Sequence, residues 1–244
     1  MTEYDHLNWL YEVLYAEYDE NFLEEEFLKQ NSFILEKSKR ILDASCGNGI
    51  LTQSLIKAGY DVSASDISVE MVELTKKRIS KMGSSTHCFV SSWQELPEMN
   101  EKYDLIFCYG NSISHSKSKK ERIQNIQSLY SCLNKNGILV LDTRNWDKQI
   151  QLKYTTYNSR KYNNKMYTPI YIWDFEKGRE SSSVTIVFVE SDGNTMKTYE
   201  RKLTFSIFLH EEIIEEVKEL GFEVIKDTFE NELDEYCLYL KKSV

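Results

Sequence analysis

Residues 41–49, ILDASCGNG, run from an apolar strand end into a turn hinged by Gly47 and Gly49, and a lone acidic residue, Asp66, closes the next apolar stretch. Glycine at those two positions lets the turn tighten and lets its backbone come close to a ligand. From 50 to 57 the apolar residues Ile50, Leu51, Leu55 and Ile56 fall at helical spacing. The backbone N–H groups of the turn and of the first helical turn are therefore expected to face outward as donors. Asp66, after Val62-Ser63-Ala64-Ser65, stands where an α/β sheet places a carboxylate to accept from both hydroxyls of a ribose. The unit reads as a nucleotide-type cofactor pocket, yet it is not a dinucleotide fingerprint, because Thr52 occupies the third glycine position. Nor is it a P-loop, since no Gly-Lys-Ser/Thr ending follows. Asp43 at the strand end would in addition repel a pyrophosphate.

The alternation continues beyond Asp66. Ser68 can cap a helix over 69–82 with Met71, Val72 and Leu74 inward. Strands are expected at 86–90, 103–109 and 137–142, with a helix over 119–133. Near the end a helix over 211–220, stopped by Gly221, precedes strands at 222–229 and 235–240. This order predicts a mostly parallel, doubly wound α/β sheet with a C-terminal antiparallel hairpin. Two helices fill residues 1–38: Leu7, Leu10, Tyr11, Leu14, Tyr15 and Tyr18 share one face, and a second helix covers 22–36. Between Trp146 and His210 the pattern changes to three antiparallel strands at 165–175, 182–190 and 195–208, the last two joined by Ser191-Asp192-Gly193-Asn194. We read this insertion, about 150–209, as a β lid over the sheet's C-terminal edge, where α/β folds bind ligands. A layer covering a sheet edge, or an oligomer contact, is the alternative.

Asp43 with only two glycines in the turn resembles the first motif of class I S-adenosylmethionine (SAM)-dependent methyltransferases. That resemblance covers most of the chain as a single domain, 1–244, and implies a Rossmann-like fold with SAM as cofactor and S-adenosylhomocysteine as product. It implies that Ser45, Gly47, Asn48 and Gly49 face the amino-acid end of SAM. Asp43 would match the ammonium there, directly or through water, and Asp66 with its neighbour Ile67 would take the ribose side. The pair Ser92-Trp93 would lie at the adenine, with Met71 covering the other face of the base.

Two further loops narrow the resemblance. YDLIFCYGNSISHS, 103–116, ends a strand in Tyr109, Gly110, Asn111, Ser112 and His115; LVLDTRNWD, 139–147, ends the next in Asp142, Thr143, Arg144 and Asn145. Together they look like the Gly-Asn-Ser…His and Asp-x-Arg-Asn segments of glycine N-methyltransferase and the glycine/sarcosine N-methyltransferases. The resemblance implies that Arg144 pairs with a substrate carboxylate, as a planar fork suits it to do, and that Asn111 presents its carbonyl oxygen to the amine. It places His115 near the SAM carboxylate. A surface salt bridge from Arg144 to Asp142 or Asp147 is the bland alternative. Of the 16 tyrosines, Tyr18 and Tyr109 are chosen as lining the site. A SAM-dependent transfer to another small N- or O-acceptor, or a non-catalytic SAM-binding protein, remain the competing readings.

A net charge of -9, with scattered lysines, argues against nucleic acid as a partner. The five cysteines form no C-x-x-C pair and read as reduced thiols in a cytoplasmic protein. No signal peptide or membrane span is visible, and no metal-ligating cluster is expected. The expected partner is a small amino acid or amine, and a homo-oligomer stays open.

Overall fold

The computed structural model of the chain describes residues 9–15, 20–175 and 181–243. In chain order it begins with α1 (Trp9–Tyr15), α2 (Glu20–Leu35), β1 (Arg40–Asp43), α3 (Ile50–Lys57), β2 (Asp61–Asp66), α4 (Val69–Ser80), β3 (Cys88–Val90) and β4 (Tyr103–Cys108). It continues with α5 (Lys119–Cys132), β5 (Leu133–Arg144), α6 (Trp146–Gln149), β6 (Tyr154–Thr156), β7 (Arg160–Tyr162) and β8 (Lys165–Phe175). The last elements are β9 (Ser181–Ser191), β10 (Met196–Ser206), α7 (His210–Glu219), β11 (Phe222–Asp227) and β12 (Glu235–Lys242).

The main sheet of the described residues runs in the order β11-β12-β5-β4-β1-β2-β3. Only β12 is antiparallel to its neighbours, as expected of the terminal hairpin. The central strands are near-continuous apolar runs buried on both faces, which a parallel sheet between helix layers requires. Chain order reverses between β1 and β4, so the crevice at their carboxyl ends is the switch point where such sheets take ligands. Ser45 locks that crevice: its hydroxyl donates to the Tyr109 carbonyl (3.0 Å) and accepts from the Tyr109 N–H (3.1 Å).

Five strands make up the second sheet, in the order β10-β9-β8-β6, with β7 also on β8. Three were expected; β6 and β7 are three residues each, too short to show alternation in sequence. Along β9 burial alternates strictly, with Ser182, Val184, Ile186, Phe188 and Glu190 inward. That inner face joins the same hydrophobic cluster as Leu42, Ile106 and Leu139 of the main sheet, Ile126 of α5 and Leu10 and Val13 of α1. One core therefore serves both sheets, and the insertion is packed onto the fold rather than tethered to it.

Other departures are local. β5 starts at Leu133, earlier than expected, because Asn136 in a left-handed conformation and a register shift between Tyr103 and Leu105 absorb the kink. On α1 the buried face centres on Leu10 and Val13, turned from the predicted stripe. The cause is Trp9, which packs against Tyr162, Tyr167 and Tyr199 of the second sheet at centroid distances of 6.2, 5.6 and 5.3 Å. Leu7 and Tyr18 lie outside the described residues.

A buried ion pair closes the far side of the core. Arg122 of α5 donates from Nε (2.8 Å) and Nη2 (2.7 Å) to the two oxygens of Glu216 on α7, and from Nη1 to Ser206 at the end of β10 (3.0 Å). Removing one partner strands the other charge without water. Glu216→Ala is expected to cost about 3–5 kcal/mol, read as a lowered urea midpoint at unchanged slope.

Candidate active site

At the end of β1 the Asp43 carboxyl is 1% exposed. Its Oδ2 accepts from the Thr52 hydroxyl (2.6 Å), while Oδ1 is buried without a hydrogen-bond partner. Burial, opposed by the Thr52 hydrogen bond and reinforced by the charge of Asp66, pushes this carboxyl up to about 7. An acceptor with lone pairs and no donor in the protein is matched by a cationic N–H from outside it.

The turn after β1 is more self-satisfied than its sequence predicts. The Gly47 N–H donates to Asp66 Oδ2 (3.0 Å) and the Gly49 N–H to the Cys46 carbonyl (2.8 Å), so neither points outward. The Asn48 and Gly47 carbonyls accept from Arg78 Nε and Thr75 Oγ1, both at 2.8 Å. What stays available for an anion is the first turn of α3. Asp66 also accepts from the Ser68 N–H at Oδ1 (2.9 Å). Each of its oxygens thus accepts a backbone N–H, which fixes the carboxylate at the end of β2.

Around this turn Ile67 is exposed and Met71 is buried at the start of α4. Trp93 donates its indole N–H to the Ala44 carbonyl (2.7 Å), which fixes the ring over the β1 turn. Ser92 beside it bonds Glu95 Oε2 through its N–H and its hydroxyl, at 2.8 and 2.7 Å. Tyr109 also departs from expectation. Its ring packs between Phe27 and Phe107, at 5.6 and 5.7 Å, with its hydroxyl beside Cys237, so the loop keeps only its backbone. An aromatic at a strand end can turn to either face of a sheet, and here the helix-layer face won.

The loop after β4 and the end of β5 form one network. Asp142 Oδ2 accepts from the N–H groups of Gly110 (2.8 Å) and Asn111 (3.0 Å), pinning both residues in left-handed conformations. Burial and the nearby charge of Glu235, opposed by those two N–H groups, raise Asp142 to about 7. Asn111 Oδ1 accepts from the Arg144 N–H (3.0 Å), the Ser114 hydroxyl (2.6 Å) and the Thr143 hydroxyl (3.2 Å). The expected role of Asn111 is corrected by this: its oxygen is consumed by the protein and cannot receive an amine. The buried Nδ2, which has no partner, is the group it offers.

Arg144 is the centre of the site. Its Nη1 donates to the Tyr157 hydroxyl (3.3 Å), its Cζ lies 5.2 Å from the Trp173 ring, and its Nε is buried with no partner. The salt-bridge alternative is excluded. Asp142 is spent on Gly110 and Asn111, Asp147 accepts from the His210 N–H (2.9 Å), and Glu235 opposite on β12 is exposed. His115 lies against Phe205 of β10 (4.6 Å). Burial, against a hydrogen bond with the Thr204 backbone and with help from the Arg144 charge, pushes His115 down to about 4, so it is neutral at pH 7.

Sequence reading missed Tyr157, Tyr171 and Trp173, which wall the guanidinium, and Tyr11, whose hydroxyl lies over Gly47. Tyr167, Tyr171, Trp173 and Phe175 sit on one face of β8 at every second or fourth position, a signal that was there to be read. Among the described residues no helix is long and apolar enough to cross a membrane, and no group of three or more His, Cys, Asp or Glu is placed to hold a metal.

Residues 41–137 match a family model described as a methyltransferase domain. The glycine/sarcosine N-methyltransferase of Aphanothece halophytica is 36% identical over 111 residues, 45% of this chain and 42% of that protein. That of Halorhodospira halochloris is 36% identical over 135 residues, 53% of this chain and 50% of that protein. The chain thus spans about half the length of the curated relatives it matches. The crystal structure of an S-adenosylmethionine-dependent methyltransferase from Clostridium acetobutylicum ATCC 824 aligns over 100% of both chains with a TM-score of 0.78 at 17% identity, a likeness of fold.

Gly47 has φ +51°, and a Cβ there would meet the Tyr11 hydroxyl oxygen at 2.7 Å but the ring carbon behind it only at 3.6 Å. Gly47→Ala is expected to cost about 1–3 kcal/mol by thermal unfolding, and adding Tyr11→Phe should recover part of that loss by removing the clashing oxygen.

Proposed function

We propose that the chain is a SAM-dependent methyltransferase, as the match of residues 41–137 to a methyltransferase domain and the shared fold support, and that it transfers a methyl group to the amine of a small amino acid such as glycine or sarcosine. The observation that carries the acceptor class is the half-buried Arg144, whose Nε is buried and unpartnered, together with the unpartnered amide N–H of Asn111, whose oxygen holds the Arg144 backbone N–H. Stranded donors on a permanent cation are costly unless a ligand completes them, and a carboxylate completes both. The glycine/sarcosine N-methyltransferases among its relatives support the same reading.

For the cofactor, Asp43 Oδ1 would take the ammonium, the first turn of α3 the carboxylate, and Asp66 the ribose, with Ile67, Met71 and Trp93 around the base. When bound, SAM supplies an electrophilic methyl on a sulfonium. The protein's part is alignment rather than acid or base chemistry. Holding the acceptor by its carboxylate on Arg144 and Asn111 leaves its amine end as the mobile part to be aimed. Such positioning in a dry cleft can supply a large share of the barrier reduction, about 7–11 kcal/mol in favourable cases. Tyr157, Tyr171 and Trp173 line the guanidinium and reduce its contact with water, which strengthens its hold. The acceptor must arrive with a free lone pair, so turnover rises on the alkaline side of neutrality.

Arg144→Ala should raise the KM for glycine roughly a hundredfold while the Kd for SAM, measured by calorimetry, stays within about twofold. An unchanged KM removes Arg144 from the acceptor site. The raised Asp43 carboxyl yields a second test. Its ionised form pairs with an ammonium, so SAM affinity should climb roughly tenfold from pH 5.5 to 7.5 as Asp43 loses its proton around 7. In Asp43→Asn the part of this slope that lies below the α-amino titration should vanish.

A further inference from the structure

The two sides of the Arg144 guanidinium are treated differently. Nη1 is committed to the Tyr157 hydroxyl (3.3 Å), whereas Nε is buried and unpartnered. In a planar guanidinium the Nε–H shares an edge with one N–H of Nη2, and Nη1 lies on the other side. The plane itself is set by Trp173, whose indole N–H is anchored on Thr155 Oγ1 (2.8 Å). Tyr157 is held in turn by its own N–H on the Pro169 carbonyl (3.2 Å) and by an edge contact of its ring with Tyr171 (4.9 Å, 66°). All of these groups belong to β6, β8 or the residue just after β6, none to the loops that carry the cofactor.

We propose that Tyr157 is a positioning residue: by accepting from Nη1 it turns the guanidinium so that the Nε–Nη2 edge meets the acceptor's carboxylate side-on. This rests on the carboxylate reading above and adds the direction of approach. Nε is the guanidinium nitrogen nearest the backbone, and the Arg144 N–H is bonded to Asn111 Oδ1. A carboxylate on the Nε edge takes the guanidinium donor that the protein leaves stranded. An end-on approach through both Nη groups would compete with Tyr157 for Nη1 and leave Nε stranded.

Acetate serves as the probe, its binding followed by intrinsic tryptophan fluorescence in the full chain, with the KM and kcat for glycine measured beside it. Tyr157→Phe keeps the ring and its packing. It is expected to weaken acetate binding roughly tenfold and raise KM by a similar factor, with kcat changed far less. In an Arg144→Lys background, which has no Nε edge to turn, Tyr157→Phe should add less than about twofold. If Tyr157→Phe binds acetate like the parent, or if the two effects multiply, the positioning role is overturned while the Arg144 site stands. If the parent binds no acetate, or binds it independently of Arg144, the carboxylate reading itself fails and takes this one with it.

Discussion

At the carboxyl ends of the main sheet's strands the carboxyl of Asp43 is buried and Arg144 is half-buried, and each keeps one buried polar atom with no protein partner. Folding alone would not select that arrangement, because a desolvated charge with an unfilled hydrogen bond costs stability. The surrounding structure tolerates it by over-determining each group. Thr52 holds one oxygen of Asp43, and Asn111, Tyr157 and Trp173 hold the backbone, one terminal nitrogen and the plane of Arg144. Under the proposed function, these two groups would pair with an ammonium on one side and a carboxylate on the other.

The second sheet gives this edge its dryness. Its inner face continues the hydrophobic cluster of the main sheet, and Trp146 bridges them, donating its indole N–H to Ser114 (3.1 Å) and meeting Trp173 and Phe205 at 6.0 and 5.7 Å. The insertion is therefore part of the wall of the site. α1 completes the enclosure from the other direction. Trp9 seats it on three tyrosines of the second sheet, and Tyr11 reaches over Gly47. One short helix therefore contacts both the turn after β1 and the second sheet.

Much of the fold was legible because parallel strands buried on both faces leave long apolar runs, and because Gly47, Gly49 and Asp66 mark the first crossover. Arg144 and Asn111 were legible as chemistry, a fork-shaped cation and an amide on neighbouring strand ends. The orientation of the amide was not. Which end of Asn111 faces the cleft depends on a backbone N–H from a different strand, a contact that no local pattern encodes. Tyr109 failed for a related reason, since a strand-end ring has two faces to choose from and only the packing of Phe27 from α2 decides.

The amino-acid sequence by itself determined the order of strands and helices, the glycine-hinged turn with its two acidic residues, and the pair of polar loops that end β4 and β5. These follow from residue-local preferences: periodicity, turn chemistry and the rarity of charge in an apolar run. Tertiary structure alone decided which lone pairs and N–H groups stay unsatisfied, and which aromatic residues of a distant sheet close around Arg144. Those outcomes depend on contacts between residues far apart in the chain, where desolvation and hydrogen-bond competition are settled only once the two sheets share a core.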